Sequence, residues 1–463
     1  MEEEKRDNSR TENTQAAPAQ KPKAQSRAWR IAVNVCRFPL ALALIFSGFV
    51  KAIDPLGTQY KIGDYLEALH WEQYVPTWAT LSASVLLSAV EFCLGIFLLF
   101  AIRRRVVSRV IVAFMTIMTA ITVWLWGWNP ISDCGCFGDA IHLTNGQTLL
   151  KNVALLAMAA IVAWKPLGMV RFISKTNQWI VINYTVLFVL VSSGLSLWYL
   201  PLFDFRPYHI GANIRKGMEI PKGAKLPKLE TTFILEKGGV RKEFTLDDYP
   251  DSTWTFIDSK TVEVEKGYEP PIHDFSITDA ATGEDKTDEV LANKGYTFLL
   301  IAPYLELADD TNFGEIDQIY EYAQDHHYGF IALTASSEEG VAHWRDITGA
   351  EYPFYITDGT TLKTIIRSNP GLLLLRNGVV INKWSHNQLP TTADLATPLE
   401  KSALGKIPQK GMTRRVTQVV LWFVLPLFVL TLADRTWQWT QWLRKKKRKN
   451  KAKTSKEERR DGE

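Results

Sequence analysis

Apolar positions along the chain gather into six runs, at residues 29–50, 78–102, 106–126, 152–164, 179–200 and 416–433, separated by polar or turn-rich stretches. A hydrocarbon layer about 30 Å thick needs roughly 20 apolar residues in helical form, and backbone groups within it must bond to one another. The runs therefore predict six membrane-spanning helices. The fourth is the shortest and reaches a spanning length only if Thr148 to Leu150 belong to it. A polar tail precedes the first run and no small-residue cleavage site follows it, so that run reads as a retained helix and not a leader.

Between the fifth and sixth runs the pattern changes. Alternating, turn-rich segments at 231–235 and 242–245 predict a small β extension over 201–273. Strand and helix then alternate: strands at 297–302 and 330–334, helices at 313–324 and 338–348. The insert closes with 371–376 and 379–384 flanking Asn377-Gly378, a hairpin signal because both turn residues tolerate positive φ. The predicted fold class is a multi-span helical bundle plus an α/β domain on one side of the membrane.

Composition hides this organisation. A chain with 46% hydrophobic residues and a mean hydropathy of -0.06 looks soluble because polar tails and the insert dilute the apolar runs. The net charge of +4 matters less than its distribution. Arg103, Arg104, Arg105 and Arg109 crowd the turn after the second run, Lys165, Arg171 and Lys175 follow the fourth, and Arg444 to Lys449 follow the sixth. Basic loops mark the cytoplasmic side. This places both termini in the cytoplasm of a bacterial inner membrane, with the loops 51–76 and 129–151 and the insert 201–415 in the periplasm. The tails, 1–27 and 444–463, are charged and poor in apolar residues and read as disordered. The basic tail reads as an orientation anchor against lipid, not as a nucleic-acid site.

Within the runs, Arg37 and Glu91 are ionisable residues in a layer that penalises charge, and both count toward the cytoplasmic half. An Arg37–Glu91 pair is expected, locking two helices or handling a proton or substrate. Gly48, Lys51 and Asp54 share one helical face at the periplasmic end of the first run, where plain snorkelling before Pro55 is the alternative. Of the four cysteines, Cys36 and Cys93 fall inside runs and read as packing residues. Cys134 and Cys136 occupy the loop Asp133-Cys-Gly-Cys-Phe-Gly-Asp139. A bridge across one residue closes a small strained ring, and strained bridges are the readily reduced kind. Redox-active thiols, an inert local bridge and metal capture all remain open there, although the four-ligand spacing of a metal site is missing.

Arg37, Gly48-Phe-Val-Lys51-Ala-Ile-Asp54-Pro55, Glu91 with Gly95, Cys134-Gly-Cys136-Phe-Gly138-Asp139 and Thr148-Leu-Leu-Lys-Asn152 together resemble the DoxX/MauE family of small four-helix membrane proteins. The resemblance covers about residues 30–164. It implies a four-helix domain over 28–166, with a fifth span at 178–200 and a sixth at 416–434 added outside it. MauE members are linked to methylamine metabolism, where they are thought to support maturation of a disulfide-rich dehydrogenase; DoxX and DoxD relatives are linked to quinone-coupled sulfur oxidation. The redox theme transfers better than the substrate. A membrane quinone is the implied cofactor, the bilayer and a periplasmic protein the implied partners, and Cys134, Cys136, Lys51 and Asp54 the implied catalytic group.

The strand–helix order over 274–405, with Asn369-Pro370 before the hairpin and 274–279 as its opening strand, resembles a thioredoxin-like domain. Where that family carries Cys-x-x-Cys after its first central strand, this chain reads Ala302-Pro-Tyr-Leu-Glu-Leu-Ala308, and 201–415 contain no cysteine. Thiol exchange by this domain is excluded. A groove near Tyr304, Asn369 and Pro370 is expected to bind a polypeptide or the chain's own cysteine loop. The histidines show no spacing of a Ser/His/Asp or metal site. Two functions follow: a membrane thiol-disulfide oxidoreductase built on Cys134 and Cys136, or a non-enzymatic scaffold whose inactive domain holds a partner.

Overall fold

The computed structural model describes residues 27–131, 133–225, 228–237, 240–245, 254–265, 267–408 and 411–460. The expectation for the N-terminal tail falls almost wholly outside the described residues, as do positions 461–463. Among the described residues, six helices are long and apolar enough to cross a membrane. In chain order the membrane region holds α1 (Arg27–Ile53), α2 (Pro55–Ala68), α3 (Thr77–Phe100), α4 (Arg104–Trp128), α5 (Asn145–Trp164) and α6 (Gln178–Trp198). The short fourth run gains its length from a capping box, in which Thr144 and Gln147 bond each other's backbone N–H and start α5 seven residues before the run.

Helix α2, read from the sequence only as a connection, is too short to span. Asp54 caps it through Oδ1, which accepts the Gly57 N–H at 3.0 Å, and Pro55 occupies a first-turn position where its missing N–H has no cost. α2 lies against the first turns of α3: Ser84 Oγ donates to the Pro55 carbonyl at 2.6 Å, and Gln59 Nε2 to Thr80 Oγ1 at 3.2 Å. The start of α3 therefore projects past the end of α1. Lower down, α1 and α3 meet through glycine. A Cβ on Gly48 would lie 2.4 Å from the Phe92 nitrogen, and one on Gly95 2.7 Å from the Ile45 nitrogen, so only glycine permits this crossing.

The insert contributes α7 (Ile214–Met218), β1 (Lys228–Lys237), β2 (Val240–Thr245), β3 (Thr255–Glu265), β4 (Thr278–Asp279), α8 (Thr287–Ala292), β5 (Tyr296–Ala302), α9 (Phe313–Asp325), β6 (Gly329–Thr334), α10 (Glu338–Thr348), β7 (Phe354–Ile356), α11 (Gly359–Ile365), β8 (Gly371–Arg376) and β9 (Val379–Ser385). β1, β2 and β3 form a separate antiparallel sheet in the order β2-β1-β3. The other strands form a six-stranded mixed sheet, β4-β7-β6-β5-β8-β9, in which β5 runs parallel to β6 and antiparallel to β8. β5 is buried along its whole length because apolar layers cover both faces, one around Trp344 and Tyr322, the other around Ile277 and Leu362. The expected opening strand shrinks to β4, two residues paired with β7.

Charge ties the exit of α6 to this sheet. Asp204 accepts from Arg206 Nε at 2.7 Å and Lys383 Nζ at 2.9 Å, while Lys383 also donates to the Ile365 carbonyl at 2.6 Å. Burial lowers Lys383 to about 8 against the pull of Asp204. Burial likewise pushes the Asp204 carboxyl up, but the two cations hold it well below the usual range.

The sixth span is one continuous helix: α12 (Gly411–Val419), a π-turn at Val420–Val424, then α13 (Leu425–Arg460). The wider turn frees the Trp422 carbonyl, which accepts the Tyr184 hydroxyl of α6, and Phe423 packs 4.2 Å from Phe188, centroid to centroid. The basic run Arg444–Lys449 corrects the expectation of a disordered tail, because it continues α13. Lys, Arg and Glu are good helix formers, and the span supplies the nucleus that an isolated segment would lack.

Candidate functional site

The loop between α4 and α5 carries the two central thiols. Asp133 holds its start: Oδ1 accepts the Gly135 N–H at 3.0 Å and Oδ2 lies 2.9 Å from His142 Nδ1. Burial raises the Asp133 carboxyl, but the His142 and Gly135 bonds outweigh it and leave the group below its ordinary value. The same His142–Asp133 bond raises the imidazole. Gly135 takes φ +64°, the left-handed backbone that folds the two cysteines onto one side. Neighbouring helices grip the carbonyls: Tyr65 of α2 donates to Cys134 O at 2.9 Å and Ser47 of α1 to Cys136 O at 2.5 Å.

Both thiols are free, with their sulfurs 2.7 Å apart. The Cys136 N–H points at Cys134 Sγ from 3.3 Å and the Thr148 hydroxyl stands 3.7 Å from it. The hydrogen bond from Cys136, together with these donors and the field of Lys151, lowers Cys134 to about 6 against the effect of its burial. Cys136 is raised well above the thiol range by its bond to Cys134, by burial and by the Cys134 charge. The two thiols therefore titrate as one unit, and Cys134 is the sulfur on which the surrounding donors favour negative charge.

Beneath the loop, Lys51 Nζ donates to Glu91 Oε2 at 2.6 Å and to Ser47 Oγ at 3.1 Å. Both charged side chains are about 8% exposed. Ser47, Lys51, Glu91, Cys136, Lys151 and Asn152 converge on a cavity of about 30 Å³, room for one or two waters. The expected Arg37–Glu91 pair is not formed. Ser84 is level with Pro55, so Glu91, two turns further along α3, is level with the stretch of α1 around Gly48 and Lys51. Arg37 lies about 21 Å down the axis from Lys51, at 1.5 Å per residue. It donates instead to the Val170 carbonyl at 2.6 Å, with its guanidinium 4.7 Å and 5.1 Å from the rings of Phe38 and Phe172.

Asp54 belongs to a second cluster. Arg367, from the stretch between α11 and β8, donates through Nε to both Asp54 oxygens at 3.1 Å and through Nη2 to Asp139 at 3.0 Å. Burial disfavours the guanidinium, yet Asp54 and Asp139 raise it on balance. Its plane also sits 5.2 Å from the ring of Tyr60 on α2, while Lys363 lies 5.3 Å from Tyr60 and 4.8 Å from Tyr304. Asn369 Nδ2 donates to the Tyr304 carbonyl at 2.8 Å, and the Asn369-Pro370 bond is cis. Tyr304, Asn369 and Pro370 are therefore one edge, and that edge faces the membrane region.

Sequence spacing gave no Ser/His/Asp group, but the fold assembles Ser368, His386 and Asp309. Ser368 Oγ donates to Pro370 O at 2.5 Å and lies 2.9 Å from His386 Nδ1, while Asp309 is 3.6 Å from His386 Nε2. The hydroxyl is spent on its own loop and the carboxylate is beyond hydrogen-bond reach, so the arrangement fixes the turn around Pro370. Arg367, Ser47 and Tyr65 escaped the sequence reading, and Lys151 entered it only as part of the Thr148–Asn152 motif, with no role given. Ser47 carried a signal too, one turn before Lys51 on the same helical face.

Residues 29–165 match the family model described as methylamine utilisation protein MauE. The MauE-like region thus contains α1 to α5, the cysteine loop and Lys51, Asp54, Glu91 and Asp139. Residues 229–266, across the three-stranded sheet, match a domain of unknown function, DUF8463. A solution structure from Bacteroides thetaiotaomicron, named as a proposed protein disulfide isomerase, is similar at 16% identity over 31% of this chain and 91% of that one, with a TM-score of 0.23; a likeness that low carries no argument. No curated protein matches the chain.

Proposed function

We propose that this protein is an inner-membrane thiol-disulfide factor whose MauE-like region exchanges disulfides with periplasmic proteins through Cys134 and Cys136. The observation that carries this reading is the cysteine pair itself: two free sulfurs 2.7 Å apart across a single glycine, on a loop gripped by α1 and α2. A purely structural bridge across one residue would constrain almost nothing in the unfolded chain. In the bridged form, a thiolate of the client protein attacks Cys134 Sγ, the Cys134–Cys136 bond breaks, and the client's second thiolate then displaces Cys134. The client gains a disulfide and the pair keeps two electrons and two protons, for later transfer to an acceptor such as a membrane quinone.

The insert takes the non-catalytic role. It has no cysteine, and its thioredoxin-like edge at Tyr304, Asn369 and Pro370 lies over α2 beside the cysteine loop, the place from which to present a client. Trapping tests the reading. In cells, Cys136→Ala should accumulate mixed disulfides with periplasmic proteins through Cys134. Absence of such conjugates, with the variant present at normal abundance, would sink the oxidoreductase. A scaffold reading is favoured by one observation, the seating of Arg367 between Asp54 and Asp139; it requires a Cys134–Cys136 pair that never cycles.

A further inference from the structure

Lys51 and Lys151 approach the cysteine loop from α1 and α5 and line one cavity with Cys136, while Glu91 is the carboxylate lining it. Lys51 is fixed from two sides, by Glu91 at 2.6 Å and Ser47 at 3.1 Å, and the same Ser47 hydroxyl holds the Cys136 carbonyl at 2.5 Å. Lys151 is fixed over the ring of Phe137, 4.2 Å from its centroid. Against these two cations stand Glu91 and one thiolate. Counted at neutral pH, the group balances only when the cysteine pair is reduced and singly ionised. A bridge removes that negative charge and leaves one cation beside the cavity without a counter-charge, Lys51 being buried and Lys151 half-buried.

We propose that Lys51 and Lys151 form a leaving-group site for Cys136, stabilising the charge that collects on its sulfur when the Cys134–Cys136 bridge is opened, with Glu91 setting how much of the Lys51 charge is available. This rests on the redox reading above and deepens it. When an incoming thiolate bonds to Cys134 Sγ, the electron pair of the breaking S–S bond moves to Cys136 Sγ, which lines the cavity. The fields of Lys151 and Lys51 are the ones that favour charge on that sulfur. The charge then passes to Cys134 by transfer of one proton as the client leaves. The surrounding titratable groups are Tyr65 of α2, which donates to the Cys134 carbonyl, Lys61 of α2, which packs on Gly135 and pairs with Asp64 at 3.2 Å, and Asp133 with His142, whose carboxylate is spent on the Gly135 N–H and the imidazole. They anchor the loop and supply no further cation to the cavity.

The experiment isolates Cys136 in the full chain by replacing Cys36, Cys93 and Cys134 with alanine, and measures its iodoacetamide reactivity against pH in lipid nanodiscs. Lys51→Met and Lys151→Met should each raise the midpoint by about one unit, a tenfold loss of rate at neutral pH. Lys51→Arg should restore most of the shift. Glu91→Gln should move it the other way, downward, because the competing carboxylate is gone. A merely structural role predicts no such opposition of sign. An unchanged midpoint in both lysine variants, or an upward shift in Glu91→Gln, overturns the proposal. If Lys51→Met does not fold, the isosteric Glu91→Gln decides alone, a downward shift supporting the site and any other result removing it. Failure of client trapping with these opposite shifts intact would reject the redox function and leave the cationic site standing.

Discussion

Two charged clusters sit one helical turn apart where α1 gives way to α2, and they are built with opposite surpluses. Around Lys51 two cations face one carboxylate, inside the bundle and beside the thiols. Around Asp54 two carboxylates face one guanidinium, at the seam between the MauE-like region and the sheet domain. The positive surplus can serve as a charge partner for sulfur, since a thiolate completes it. The negative surplus serves attachment, since it recruits a cation from another domain. Lys51 and Asp54, three residues apart, thus divide chemistry from docking.

The sharpest way to break this contrast is to remove the shared carboxylate of the first cluster. Glu91→Ala leaves Lys51 buried without its ion-pair partner, and a loss of about 4 kcal/mol is expected from thermal or denaturant unfolding in detergent. A Glu91→Ala, Lys51→Met double variant should recover part of it; strict additivity in that cycle would mean the pair is not a coupled unit.

Next in size is the second cluster. Arg367→Ala strands two carboxylates and should cost about 3 kcal/mol, read as a lowered melting temperature and faster proteolysis between the sheet domain and the membrane region. Asp139→Asn should cost about 1 kcal/mol, because the surplus leaves Asp54 to hold the guanidinium. An Asp139→Asn loss equal to that of Arg367→Ala would refute the idea of surplus.

Smaller again is the pH response of the thiols. With Cys134 at about 6, its alkylation should climb as pH rises through that value, well before an ordinary thiol near 8.5 responds. The sign for stability follows: a lowered folded value contributes fully above the unfolded thiol value and is lost as pH falls through about 6. Thr148→Val removes one donor and should move the midpoint upward by a few tenths of a unit. The least effect belongs to His142, which is 71% exposed at its side chain. His142→Ala should change stability by about 0.5 kcal/mol or less, and its contribution, from a raised imidazole, is present below the ordinary histidine value and fades as pH rises past the raised one.

Much of the architecture was legible from the chain alone, because burial in lipid forces a continuous apolar run and alternation then fixes which loops share a side. The six spans, the common side of the cysteine loop and the insert, the β5-α9-β6-α10 alternation and the hairpin of β8 and β9 all follow from periodicity and turn chemistry. Cys134 and Cys136 stood out because two cysteines across one residue are visible without any fold. The partner of Glu91 was not legible. Depth counted along each helix assumes that helices begin at a common level, whereas α3 starts two turns beyond α1 because α2 packs against it. That offset moved Glu91 from the level of Arg37 to that of Lys51. Arg367 was hidden for a deeper reason: it lies 313 residues from Asp54, and no local pattern announces which arginine of a soluble domain will be buried. Only the docking of the sheet domain on α2 removes it from water, and that burial is what turns an ordinary surface cation into the link between two domains.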